Sequence, residues 1–210
     1  MPNKFASTIS VYNKYASQFV QHFENKLETK ELDEFIALLP KNGKVLDAGC
    51  GSARDSAYMI SKGYSAQGID LSEGLLAEAK KIHPEVPTQL MSLTEISFPA
   101  TYFDGIWCKA ALLHLDRKEI PRVLKDFRKI LKPNGILFIQ TKLGQGEGTQ
   151  AVPFNHKLTR MFTFFTIDEL SDLVTSAGFE LTKSYAFNGR SRSAQMQDQD
   201  WVVVFARKNK

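Results

Sequence analysis

The sequence predicts a doubly wound α/β domain, a mostly parallel sheet with helices on both faces. Three observations carry that prediction. Short apolar runs alternate with longer amphipathic stretches, the first two runs end in an acid, and Gly- or Pro-containing turns separate many of the segments. Length and composition agree with it: 210 residues suit one domain, and 43% hydrophobic residues with 15 Phe can fill a sizeable core. The same figures exclude a disordered tail and a disulfide-stapled miniprotein. No run approaches the roughly 18 apolar residues of a membrane span. The amino end, MPNKFASTISVYNKYASQF, is interrupted by polar residues and lacks a signal peptide's apolar run. Two cysteines form no framework, so a cytoplasmic setting is expected. A balance of 27 Lys+Arg against 23 Asp+Glu gives a net charge of +4, which raises the question of an acidic partner such as nucleic acid.

Each element follows in order. Residues 11–39 read as two polar-rich helices, with Val11, Tyr15, Phe19 and Phe23 on one face. After the PKNG break at 40–43, residues 44–47 (KVLD) form the first strand. The AGCG turn then leads into a helix that reaches Lys62 and closes on Gly63. Residues 65–70 are the second strand, and Ser72 caps a helix running to Ile82. The third strand is 88–91 and the fourth is FDGIWCK, 103–109. Asp116 and Glu119 resemble a capping box, but Pro121 sits too deep for an ideal first turn. A short irregular turn is therefore expected before the main helix to Leu131. KPNG at 132–135 is a turn and 136–140 the fifth strand.

From 143 to 165 no period is clear, which predicts a lid or binding loop whose return Phe162, Phe164 and Phe165 anchor. Thr166 with Glu169 is a second capping box, opening a helix that stops at Gly178. Runs 180–187 and 201–206 have no helix between them, so they pair antiparallel at one edge and complete a seven-stranded sheet. The expected organisation is one domain over 1–210: a helical cover (1–39), a binding core (40–142), a substrate loop (143–165) and a C-terminal helix with edge strands (166–210).

Ligands of such sheets bind outside the carboxyl ends of the strands, where the strand order reverses. After the first strand come Asp47-Ala48-Gly49-Cys50-Gly51-Ser52, where glycines let the backbone pass close to a ligand and a helix start offers free amides. After the second comes Asp70, 19 residues beyond Gly51, placed to meet ribose hydroxyls. Together these predict an adenosine-type cofactor. A dinucleotide site wants a third glycine where Arg54 stands. Asp47 beside a pyrophosphate is unfavourable, whereas beside the ammonium of an amino acid it is favourable.

At these residues the sequence resembles the class I S-adenosylmethionine-dependent methyltransferases. VLDAGCGSARDSAYMISKGYSAQGIDLSEGLLAEAKK is similar to that family's opening βαβα unit. FDGIWCKAALLHLDRKEIPRVLKDFRKILKPNGILFI is similar to its fourth strand, following helix and fifth strand. The resemblance is strong over 40–142 and looser elsewhere. It implies that the Gly49-Cys50-Gly51 turn binds the cofactor, the two glycines letting its methionine part lie against the backbone, with Asp47 near the amino end; Cys50 itself reads as a small filler of the turn rather than a nucleophile. Arg54 is implied to pair with the methionine carboxylate, Asp70 to bind the ribose, and Leu71 to cover the adenine. The family's acid after strand three is replaced by Met91-Ser92-Leu93, so Ser92 or backbone groups must serve there. Lys109 and Ala110 are implied to lie beneath the sulfur, and Tyr12 to sit on a helix that closes over the cofactor.

These residues also have plainer roles to weigh: Asp47 and Asp70 as helix caps, Arg54 as a solvated surface cation, Tyr12 as core packing. His114, just past strand four, is the candidate general base, since imidazole titrates near neutrality. His156 and Glu147 are lesser candidates from the loop, Cys108 is not expected to act as a nucleophile, and no metal is expected. The implied function is methyl transfer from S-adenosylmethionine, leaving S-adenosylhomocysteine, to an O, N or S atom of a small molecule. The chain is expected to be a monomer or homodimer with no membrane partner. An RNA- or DNA-directed methyltransferase is the alternative, favoured by charge and by RSRS at 190–193. It is disfavoured by the lack of an Asn-Pro-Pro-Tyr or Asp-Pro-Pro-Tyr run and of a basic strip interleaved with aromatics. A non-catalytic cofactor-binding module is a further alternative, and a dehydrogenase comes last.

Overall fold

The computed structural model describes residues 5–192 and 198–209, so Ser193 of the RSRS run and Lys210 of the basic tail lie outside the described residues. The chain opens with α1 (Ala6–Lys14), α2 (Ala16–Phe23) and α3 (Lys30–Ala37). It continues through β1 (Lys44–Ala48), α4 (Arg54–Ser61), β2 (Ser65–Asp70), α5 (Glu73–Ile82), β3 (Thr88–Leu90) and β4 (Phe103–Lys109). Then follow α6 (Ile120–Ile130), β5 (Leu131–Lys142), β6 (Glu147–Val152), β7 (Asn155–Thr163), α7 (Ile167–Ser176), β8 (Phe179–Asn188) and β9 (Asp200–Lys208). Seven strands form one sheet in the order β3-β2-β1-β4-β5-β9-β8, with β6 and β7 forming a separate hairpin. The first five sheet strands are parallel, and β9 and β8 are antiparallel at the edge, as the sequence predicts. Strand order reverses between β1 and β4, which places the ligand crevice at their C-terminal ends. Among the described residues no helix is long and apolar enough to cross a membrane.

The central strands alternate between two buried faces, which is why they read as continuous apolar runs. Leu46, Ile106, Cys108, Ile139 and Val204 pack against α6 and α7 through Val123, Phe127, Leu170 and Val174. Val45, Trp107, Phe138, Val203 and Phe205 pack the other way, against Leu32 and Phe35 of α3 and Met59 of α4. Trp107 stacks on Phe138 with ring centroids 3.8 Å apart.

Several boundaries differ from the sequence reading. The two expected N-terminal helices are three, because the chain breaks at Tyr15 (φ −116, ψ 25) without a glycine or proline to announce it. Phe19 still centres one apolar cluster with Val11, Tyr15 and Phe23 around it. The KPNG turn survives as a bulge inside β5: β4 pairs Phe103 with Leu131 and Gly105 with Ile136, and Asn134 takes φ +64. Ser72 and Thr166 cap α5 and α7 as expected, accepting bonds from Leu75 N and Glu169 N. The Asp116–Glu119 box forms only in part. Glu119 Oε2 accepts from Asp116 N, but Asp116 Oδ1 takes Lys118 N and α6 starts at Ile120.

The largest correction concerns 143–165, which is the β6–β7 hairpin rather than a periodless loop. Its inward positions include Gly148 and Gln150 on β6 and a buried Arg160 on β7. Polar residues at inward positions erase the period-two apolar signal that identifies a strand.

Candidate active site

At the end of β1 the chain turns through Gly49 (φ +87), Gly51 (φ +55) and Ala53 (φ +62) into α4. A Cβ at Gly49 would stand 2.2 Å from Ala111 Cβ, so the approach of this turn to the segment after β4 requires glycine. Gly49 N and Cys50 N both donate to Ile69 O, tying the turn to β2. Asp70 extends the tie: its Oδ2 accepts from Gly51 N at 2.9 Å and its Oδ1 from Ser72 N at 2.8 Å. Burial raises the Asp70 pKa despite these bonds. Each oxygen keeps a lone pair for a further donor. Asp70, Leu71, Met91, Ser92 and Leu93 line a cavity of about 190 Å³ here. The Ser92 hydroxyl already bonds Thr94.

Below the turn lies a pair of carboxylates with opposite fates. Asp55 accepts Arg54 Nε and Nη2 at 2.9 and 2.8 Å and Trp107 Nε1 at 3.0 Å, with Lys109 Nζ at 3.6 Å. Burial alone would raise its pKa, but Lys109, Arg54 and Trp107 outweigh that and hold it at about 2. Asp47, 3% exposed, accepts the Ser56 hydroxyl at 2.7 Å and no other donor among the described residues. Burial, reinforced by Asp55, pushes its pKa up to about 7. Asp55 thus holds the nearby cations, and Asp47 is a buried acid that an incoming ammonium would ionise. Arg54 also donates Nη1 to Phe23 O at 2.6 Å, which leaves two of its five N–H groups for a ligand.

Tyr12 divides this crevice from a second cavity of about 260 Å³. Its hydroxyl lies 2.9 Å from both His114 Nε2 and Arg160 Nη1. His114 Nδ1 meets Met161 O at 3.1 Å, and a carbonyl can only accept, so the proton sits on Nδ1. Tyr12 then donates to Nε2 and accepts from Arg160. Burial, with Arg160 and Lys142 nearby, lowers the His114 pKa to about 3 and keeps the imidazole neutral. Above this chain α2 is held down by Glu24, which accepts Ser52 Oγ at 2.8 Å and meets His83 Nε2 at 2.6 Å.

All fourteen residues singled out from the sequence border one or both of these adjoining cavities, from Tyr12 to His114. His156 and Glu147 are exposed on the hairpin and border neither. Phe162 faces the larger cavity, whereas Phe165 is buried in the core.

A family model described as a methyltransferase domain matches residues 19–184. The chain belongs to the class I S-adenosylmethionine-dependent methyltransferase family. The malonyl-[acyl-carrier protein] O-methyltransferase of Enterobacter lignolyticus is 28% identical over 134 residues, which is 63% of this chain and 52% of that protein. The chain spans about half the length of the curated relatives it matches. A crystal structure of an S-adenosylmethionine-dependent methyltransferase from Methanosarcina mazei superposes with TM-score 0.74 at 23% identity, covering 86% of this chain and 97% of the other. A Burkholderia thailandensis 1,6-didemethyltoxoflavin-N1-methyltransferase, solved with bound 1,6-didemethyltoxoflavin and S-adenosylhomocysteine, gives TM-score 0.65 at 22% identity over 100% of this chain and 92% of its own.

The residues that border the larger cavity without having been singled out from the sequence include Asp55, Gln140, Lys142, Arg160 and Trp201. Asp55 was within reach, since it follows Arg54 directly in the glycine-turn helix. Gln140 and Lys142 end β5, where the sheet rule points. Arg160 and Trp201 carried no signal, because only the hairpin and the β9 pairing bring them to the cleft.

Proposed function

We propose that this chain binds S-adenosylmethionine across the two cavities and directs its methyl group to an O, N or S atom of a small molecule. The observation that carries this reading is Asp47, a buried acid with a single hydroxyl donor, one strand away from Asp70. The open space at Gly51, where an added Cβ meets nothing within 4 Å, supports it. When bound, the cofactor supplies an electrophilic methyl on a sulfonium.

Each residue then has a task. Asp70 accepts the ribose hydroxyls with the lone pairs left after Gly51 N and Ser72 N. Asp47 ionises against the ammonium, and Arg54 offers its two remaining N–H groups to the carboxylate. Leu71 and the Met91–Leu93 segment enclose the adenine, with backbone groups standing in for the missing acid. Lys109, fixed by Asp55, and Ala110 at φ +54 form the floor under the sulfur. Holding donor and acceptor in line supplies most of the rate.

The role of His114 is revised in this reading. A group held near pKa 3 with its lone pair bonded to Tyr12 is a poor proton acceptor at neutral pH, so His114 orients Tyr12 rather than acting as a general base. The nucleic-acid alternative draws less support from its basic motif, of which Arg192 is held in a buried pair while Arg190 stays exposed. Arg190 pairs with Asp198, and Arg192 pairs with the buried Glu31, whose other contact is Tyr185. Calorimetry with S-adenosylhomocysteine tests the reading: binding in the micromolar range is expected, and none at millimolar concentration would overturn it. Turnover of labelled cofactor with a metabolite panel then separates an enzyme from a binding module.

A further inference from the structure

The far wall of the larger cavity comes from the end of β5 and from the hairpin. Lys142 is 5% exposed and Arg160 7% exposed, so both charges are out of water. Buried charges are ordinarily paired, because desolvation costs several kcal/mol per ion. Among the described residues neither makes an ion pair. Lys142 Nζ contacts the Gln150 amide oxygen and lies 3.9 Å from the Phe162 ring centroid. Arg160 gives Nη1 to Tyr12, has no acceptor for Nε, and stands 5.1 Å from the same ring. The acids in the cavity are engaged elsewhere: Asp55 with Arg54 and Lys109, Asp47 at the cofactor end. Glu28, whose Oε1 is also without a donor, makes no ion pair with either cation. Beside them Gln140, 2% exposed, presents an Oε1 with no donor.

We propose that Arg160 and Lys142 are the anion-recognition site of the acceptor pocket, and that the methyl acceptor is a small flat organic acid whose carboxylate binds between them over Phe162. The proposal rests on the methyltransferase reading above. Gln140 Oε1 adds a second requirement, an O–H or N–H donor on the same molecule. Phe19, Phe162 and Trp201 supply apolar walls for its body. A carboxylate is ionised at neutral pH, so it meets Arg160 and Lys142 as an anion.

Anion binding also leaves a proton signature. In the free protein burial, with Arg160 beside it, lowers the Lys142 pKa to about 7. The groups facing Lys142 are Arg160 from β7, Gln150 from β6, Trp201 from β9 and, more distantly, His114. None is an acid, so a carboxylate entering the pocket raises the Lys142 pKa and draws in a proton above pH 7.

The test uses the protein saturated with S-adenosylhomocysteine and titrated with benzoate and with benzamide, its neutral counterpart of the same shape. Benzoate is expected to bind at least about 10-fold tighter. Calorimetry at pH 8 in buffers of differing ionisation enthalpy is expected to show proton uptake for benzoate alone. Lys142→Met and Arg160→Gln are each expected to weaken benzoate about 10-fold or more, Lys142→Arg to retain it, and S-adenosylhomocysteine affinity to stay within about 3-fold. Benzamide binding as tightly as benzoate, or benzoate indifferent to both charge removals, overturns the proposal and leaves the cofactor reading standing. Failure of S-adenosylhomocysteine to bind overturns both.

Discussion

The two ends of the cleft are built in different ways. The proposed cofactor end is built mainly from one stretch, Asp47 to Ser72, to which Met91–Leu93, Lys109 and Ala110 are added, and much of its bonding is backbone amide to carboxylate or carbonyl. The acceptor end is assembled from Gln140, Lys142, Arg160, Phe162 and Trp201, spread over sixty residues and joined by a hairpin inserted after β5. A site made by one turn needs a particular backbone, which glycine and a following acid specify. A site made by side chains from separate strands needs only that the fold deliver them, and many residue types can be delivered. The first is specified locally and the second by the fold as a whole, which is the arrangement the proposed shared cofactor and variable acceptor call for.

That contrast can be broken at its strongest point first. Asp47 is raised to about 7 in the folded chain, above the usual carboxylate value. A raised folded pKa contributes stability that is complete below the unfolded pKa and is lost as pH climbs through the folded one. The free protein should therefore lose stability between about pH 4 and 8, and Asp47→Asn should be more stable than the parent at pH 8, by at most about 4 kcal/mol. The same variant should bind S-adenosylhomocysteine about 10-fold more weakly. Melting curves across pH, with and without ligand, check both halves; parallel pH profiles would remove Asp47 from the cofactor end.

Next in size is Gly49→Ala. It combines positive φ with a 2.2 Å collision and should cost about 3 kcal/mol, seen as a fall in Tm of about 6–12 °C. Gly51→Ala has open space around it and should cost only about 1 kcal/mol in the free protein while still lowering cofactor affinity. Equal destabilisation by the two would show that strain, and not close approach, governs the turn.

Asp70→Ala should lower S-adenosylhomocysteine affinity about 10-fold or more, through lost hydrogen bonds to an anion. The smallest effect is expected from Tyr12→Phe, which removes the hydroxyl between His114 and Arg160. It should cost about 1 kcal/mol, or about 2–4 °C in Tm, and leave cofactor affinity within about 3-fold. A larger loss of affinity would make Tyr12 a direct cofactor contact.

The parts that were legible share a physical cause. β1 ends one residue past Asp47, β2 at Asp70 and β4 at Lys109, each where an apolar run meets a charged residue, and the glycine turn is a local steric requirement written in neighbouring residues. The hairpin was illegible because Gln150 and Arg160 occupy inward positions that a strand pattern reserves for apolar groups. His114 read as a base because free imidazole titrates near neutrality, and its burial against Met161 and Tyr12 is invisible along the chain. The burial of Lys142 carried no signal along the chain, because it comes from the packing of Phe162 and Trp201 around it.

By itself the sequence determined the alternation of elements, the antiparallel edge, the glycine turn and the places of Asp47 and Asp70 beside it. Those depend on period, turn sterics and short spacing, all of which act over a few residues. Tertiary structure alone decided which acid is held ionised, that His114 is buried against Tyr12 and Met161, and that Lys142 and Arg160 make no ion pair among the described residues. Charge state follows from burial and from neighbours, and the neighbours that matter here arrive from strands and helices far apart in the chain.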